Sequence, residues 1–107
     1  MQMNISGHHV ELTPAIRAYV TEKLQRLSKH FDHLIAIDCI LKVEKLEHVA
    51  EATVKAAGRT LFADASAPDM YAAIDLLSDK LDRQVRKYKN RLRDNHHGRQ
   101  ENAASNF

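Results

Sequence analysis

Between Lys80 and Arg93 the chain reads KLDRQVRKYKNRLR, where Lys80, Arg83, Arg86, Lys87, Lys89, Arg91 and Arg93 are opposed by Asp82 alone. That stretch carries +6 while the whole chain carries +2, so everything outside it sums to −4. Guanidinium and ammonium groups at this density do one kind of chemistry well: they neutralise phosphates and release the counterions condensed on a polyanion. On a helix advancing about 100° per residue, Lys80, Arg83, Lys87 and Arg91 form one stripe, and Arg86, Lys89 and Arg93 a second beside it. A merely solvated face would interleave both signs at i,i+4 spacing. Nucleic acid is therefore the expected partner. The competitor from another class is an interaction module whose basic face meets an acidic protein.

The other chemically suggestive residues carry less. Tyr19, Lys23 and Arg26 recur at i, i+4 and i+7 on the flank of an apolar stripe. They border an inter-helix groove if both helices share one sheet face; the alternative is side chains snorkelling at a core edge. His30-x-x-His33 has a helical ligand spacing but no third ligand at a recognisable distance, and structural zinc sites usually use cysteine, so no metal is expected. His96-His97 falls in a polar terminal stretch. With 3 glycines there is no phosphate-cradling loop, and neither a nucleophile elbow nor a carboxylate pair is evident. No catalytic residue and no cofactor are expected, hence no enzyme. Cys39, the single cysteine, cannot form an internal disulfide; it falls among inward strand positions and suits a reducing cytoplasm.

A chain of 107 residues, 44% hydrophobic and 28% charged, makes one soluble domain with a modest core. No apolar run approaches the roughly twenty residues of a membrane span, and MQMNISGHHVEL lacks the pattern of a secretory signal. No tryptophan and 6% aromatics argue against a base-stacking platform for single strands.

The elements that must position the basic stripe follow from periodicity. Gln2 to Ser6 alternates and ends at Gly7, giving a short strand. Thr13-Pro14 reads as a helix N-cap followed by proline at the first helical position, and Ile16, Val20, Leu24, Leu27 and Phe31 predict one helix from about Pro14 to His30. From Leu34 to Lys45 the period becomes two, with Ile35, Ile37, Cys39, Leu41 and Val43 inward. Val49 to Ala57 alternates likewise with Ala50, Ala52, Val54 and Ala56 inward; Gly58-Arg59 reads as a tight turn before Leu61, Ala63 and Ala65. Small inward residues permit close approach of a helix. After Ala67-Pro68, with Asp69 as N-cap, Met70, Ile74, Leu77, Leu81, Val85, Tyr88 and Leu92 define a long second helix. The expected fold is α+β, in the order β-α-β-β-β-α, with two helices on one face of a four-stranded, mostly antiparallel sheet. Residues 1–93 form the domain, and 94–107, DNHHGRQENAASNF, are expected to be a disordered polar tail.

MQMNISG, LTPAIRAYVTEKLQRLSKHFDHL, ILKVEK and DMYAAIDLLSDKLDRQVRKYKNRL resemble the short bacterial ribosome hibernation-promoting factors of the protein Y (ribosome-associated inhibitor) family. The resemblance runs from Met1 to about Arg93, and its most specific piece is DMYAAID followed by KLDRQ. It implies a cytoplasmic, non-enzymatic factor of stationary phase or stress, monomeric when free. Such factors dock on the small ribosomal subunit between head and body, touching its rRNA with basic helices, occluding tRNA and mRNA and inhibiting translation. It carries rRNA contact onto Lys80, Arg83, Lys87 and Lys89, and onto Lys23 and Arg26; Arg86, Arg91 and Arg93 join them from the charge pattern. In the promoting branch, ribosomes pair into inactive dimers with the help of a small ribosome modulation factor. In the protein Y branch a longer tail keeps them as inactive monomers. KVEK, together with a tail lacking the acidic end of protein Y, favours the promoting branch. A free double-stranded-RNA module has a similar element order, but it places its key lysines at the start of its last helix, where this chain has Asp69-Met70-Tyr71.

Overall fold

The computed structural model describes residues 1–31 and 33–98, with side chains as far as Tyr88. Its elements are β1 (Gln2–His8), α1 (Pro14–Gln25), α2 (Leu27–His30), β2 (Leu34–Glu44), β3 (Glu47–Ala56), β4 (Arg59–Ala67) and α3 (Met70–Gly98). The sheet order is β1-β2-β3-β4. β1 runs parallel to β2, which requires the crossover through α1, while β2, β3 and β4 form an antiparallel meander. This is the α+β arrangement that the periodicities demand, β-α-β-β-β-α, with the first helix delivered in two pieces.

The caps form as their residue types require. Thr13 Oγ1 accepts the Ile16 N–H at 3.1 Å and Pro14 occupies the first turn. Asp69 Oδ1 accepts the Tyr71 N–H at 2.9 Å, and its backbone carbonyl accepts from Ala73 at 3.1 Å. Between these starts, the predicted single helix over 14–30 divides at Arg26, which keeps helical angles (φ −62°, ψ −24°). There the Lys29 N–H donates to the Arg26 carbonyl and Ser28 Oγ donates to the Gln25 carbonyl, both i to i−3, so the turn tightens. Because Arg26 stays helical, the apolar stripe runs on unbroken: Val20, Leu24, Leu27 and Phe31 are all buried.

Inward residues of three strands meet this stripe and the α3 ladder. Ile37, Cys39 and Leu41 from β2, Ala50, Ala52, Val54 and Ala56 from β3, and Leu61, Ala63 and Ala65 from β4 are buried. From α3, Met70, Ile74, Leu77, Leu81 and Val85 close the core, with Tyr88 partly buried at its end. The five alanines beneath α3 on β3 and β4 leave room for the helix backbone to come close. Cys39 lies inside, and burial pushes its thiol up to about 12, so it packs as a small hydrophobe.

Two expectations for β2 are corrected. Ile35, expected inward, is 57% exposed. Leu34 pairs with Ala56 but Ala36 pairs with Lys55, so Ile35 is one extra residue in the strand and the bulge turns its side chain outward. The strand also ends at Glu44, and Lys45, at φ +58°, forms a two-residue turn with Leu46. At the other end of the chain, α3 continues through Asp94 to Gly98, five residues past the boundary placed at Arg93. Nothing from Asp94 to His97 breaks a helix, and glycine is the first residue that does. Residues 99–107 of the expected tail lie outside the described residues. No described helix is long and apolar enough to cross a membrane.

Candidate nucleic-acid interface

α3 spends one face on the core and presents the other. Lys80, Arg83, Arg86 and Lys87 are all exposed, and with Gln84 they line one shallow open depression on the outside of the helix. Their states differ. Arg86 is engaged by Asp82 one turn earlier, at 2.5 Å. Lys80 Nζ donates to the backbone carbonyl of Asp64 at 2.7 Å, and Gln84 Nε2 to that of Phe62 at 2.8 Å. Among the described residues, Arg83 and Lys87 make no ion pair and no side-chain hydrogen bond. These two cations are the ones on this face left without a partner among the described residues.

The Lys80 and Gln84 bonds also explain how α3 is aligned. β4 is an edge strand whose outer carbonyls lack a neighbouring strand. Four residues of helix advance about 6.0 Å and two of strand about 6.6 Å, so residues 80 and 84 fall opposite carbonyls 64 and 62. The two side chains satisfy acceptors on the edge and hinder pairing there with another chain. Lys80 therefore sits on the basic face with its ammonium already committed to the fold. Gln84, absent from the sequence-based list, is the partner that periodicity could not reveal, because its acceptor lies 22 residues away.

Helix α1 contributes its flank as a clasp. Tyr19 Oη donates to Asp75 Oδ1 at 2.5 Å, Lys23 Nζ lies 3.2 Å from the same oxygen, and the Tyr19 and Tyr71 rings meet edge to face at 4.9 Å. The Tyr19 hydrogen bond is the main reason Asp75 is held below the usual carboxylate range, and the same bond raises the Tyr19 phenol. Lys23 thus borders the groove between α1 and α3, as expected, but as the partner of Asp75. Arg26 is exposed without an ion pair among the described residues. The side chains of Lys89, Arg91 and Arg93, and of Leu92 in the ladder, lie outside the described residues.

The uncovered face of the sheet has the opposite sign. Asp38, Glu44, Glu47, Glu51 and Asp64 alternate with the buried positions, against Lys42 and Lys55. Glu51 holds Lys42 at 2.9 Å and raises its ammonium. The −4 left over by the basic segment is thus partly gathered on this far face, which a polyanion would avoid. His30 and His33 are exposed, and no group of three or more metal-ligating side chains occurs among the described residues.

One helix, buried along one side on the antiparallel β3–β4 hairpin and exposing cations along the other, therefore sets the character of this surface. The chain belongs to the family described as Sigma 54 modulation protein / S30EA ribosomal protein, which matches residues 3–93. It is a family of ribosome hibernation factors, binding proteins rather than enzymes. The ribosome hibernation promoting factor of Azotobacter vinelandii is 53% identical over 89 residues, covering 83% of this chain and 83% of that one. That of Escherichia coli K12 is 46% identical over 93 residues, 87% of this chain and 98% of that one. Among solved structures, a ribosomal subunit interface protein from Coxiella burnetii superposes with a TM-score of 0.77 at 35% identity, covering 84% of this chain and 99% of that one. The N-terminal domain of Thermus thermophilus Protein Y also gives 0.77, at 32% identity, over 82% and 99%.

Proposed function

We propose that this protein is a ribosome hibernation factor that lays the outer face of α3 on small-subunit rRNA between head and body. There it obstructs the tRNA and mRNA sites and holds translation down during stationary phase or stress, in the cytoplasm. The observation that carries this reading is the pair Arg83 and Lys87, exposed and without counterions among the described residues on a face otherwise ringed by committed cations. Phosphate backbone, which rewards charge and geometry rather than sequence, is the ligand such a face fits. The acidic far side of the sheet supports the same orientation, since it would be repelled from rRNA. The names of the relatives, hibernation promoting factors and a ribosomal subunit interface protein, agree with a ribosomal partner.

Within that reading the promoting branch is favoured by the curated relatives' names. Sucrose-gradient profiles test it. Added to ribosomes, the protein should sediment with small subunits and 70S particles; with a ribosome modulation factor present, dimers should accumulate. A variant ending at Gly98 should behave the same. Dimers that form only after that truncation would move the protein to the protein Y branch, and absence from every ribosomal fraction would refute the assignment.

A further inference from the structure

We propose that Arg59 is a further RNA-phosphate contact, held in place by Tyr88 where the cationic surface of α3 leaves the helix and continues onto the sheet. The inference rests on the small-subunit reading above. Nothing in the charge pattern of the basic segment points to Arg59, which lies at the β3–β4 hairpin, 21 residues before the start of that segment. It is the antiparallel run of β4 against α3 that brings it there. Lys80 meets carbonyl 64 and Gln84 meets carbonyl 62, so the next helical turn arrives at the beginning of β4. At that point the Arg59 guanidinium lies over the Tyr88 ring, 5.0 Å from its centroid.

Each part of this corner is fixed by something else. Tyr88 is set edge to face on Phe31, with centroids 5.2 Å apart at 69°, and Phe31 is buried. The hairpin turns through Gly58 at φ +79°, and the Ala57 N–H donates to the His33 carbonyl at 3.2 Å, tying the turn to the segment before β2. Arg59 itself is exposed and makes no ion pair among the described residues. A guanidinium resting on an aromatic face keeps the N–H edge of its planar fork outward, and less freedom is lost when that edge grips a phosphate through two hydrogen bonds. The surface offered to RNA is then longer than the helix stripe: it runs from Arg83 through Lys87 to Arg59.

The test is binding of the full chain to purified small subunits across a salt series, with Arg59→Ala, Arg59→Lys and Arg83→Glu/Lys87→Glu measured side by side and melting curves recorded for each. Arg59→Ala should bind roughly tenfold more weakly, in keeping with one charge-assisted contact, and its log–log salt slope should be shallower by about 1. Arg59→Lys keeps the charge without the fork, so it should recover the slope but only part of the affinity. A purely structural role would lower the melting temperature without moving the slope. Native affinity and slope in Arg59→Ala would overturn the proposal, and native affinity in Arg59→Lys would overturn the role of the stacked fork. The glutamate double variant separates the two readings: if it has lost binding while Arg59→Ala has not, only Arg59 was misassigned. If it too binds as the native protein does, the whole helix face is excluded.

Discussion

Replacing Arg83 and Lys87 together by glutamate should abolish small-subunit binding, with affinity falling at least about 10³-fold at moderate salt. Two charge-assisted contacts are lost, each worth about 1.5–3 kcal/mol, and two carboxylates are placed against a polyanion. The fold should survive. Both side chains are exposed and unpartnered among the described residues, so the stability change should stay within about 1 kcal/mol; the native pair is already like-charged at i,i+4, and the new cost is the carboxylate at position 83 four residues after Asp79. Lys55→Glu provides the control: the same change of sign, made on the uncovered sheet face, should leave binding nearly intact. Co-sedimentation or a fluorescence titration reads the difference. A loss in Lys55→Glu half as large on a logarithmic scale, in proportion to its single charge reversal, would mean that net charge, not the α3 face, governs binding.

Leu81→Asp should act through folding instead. Leu81 has 0% exposure and sits mid-ladder between Leu77 and Val85, over the alanines of β3 and β4. The substitution removes a buried leucine and leaves a carboxylate with no described cation inside the core. Either change alone costs about 2–5 kcal/mol. Set against a total stability on the order of 5–15 kcal/mol, the variant should be largely unfolded or melt far below the native protein, by circular dichroism or urea titration. An unchanged transition would mean that α3 is not packed on the sheet as described.

What could be read in the sequence follows the range of the forces involved. The ladder from Met70 to Val85, the alternation over Ala50 to Ala56, and the caps at Thr13 and Asp69 are local patterns, and the structure realises each of them. The departures are set by residues far apart in the chain. Ile35 turns outward because β2 must register with β3 on one side of a bulge and with the turn at Ala57 on the other. Lys45 adopts φ +58° although it is neither glycine nor asparagine, since closing the β2–β3 hairpin in two residues demands it. The break at Arg26 turns on one serine hydroxyl and one backbone bond, too little to disturb an apolar stripe of period 3.6.

The candidate site divides the same way. That α3 would expose a cationic face was legible, because charge and apolar spacing lie on the same short stretch. Which cations are available was not. Lys80 is committed to a carbonyl on β4 and Lys23 to Asp75, 52 residues distant; only the packed structure reveals those partners. Conversely, Arg59 joins the surface only because β4 and α3 run antiparallel with matching rise. A count of basic residues ranks these side chains equally, whereas the geometry separates those with a partner in the fold from those without one among the described residues.

The measurement that bears most directly on the central claim is the salt dependence of the native protein's affinity for purified small subunits. If Arg83, Lys87 and their neighbours neutralise rRNA phosphates, log Kd must rise linearly with log salt. The slope is about 0.7–0.9 per phosphate engaged, or roughly 3–5 for the surface described. Arg83→Ala/Lys87→Ala should lower that slope by about 2. A Kd that barely changes between low and physiological salt would contradict the account.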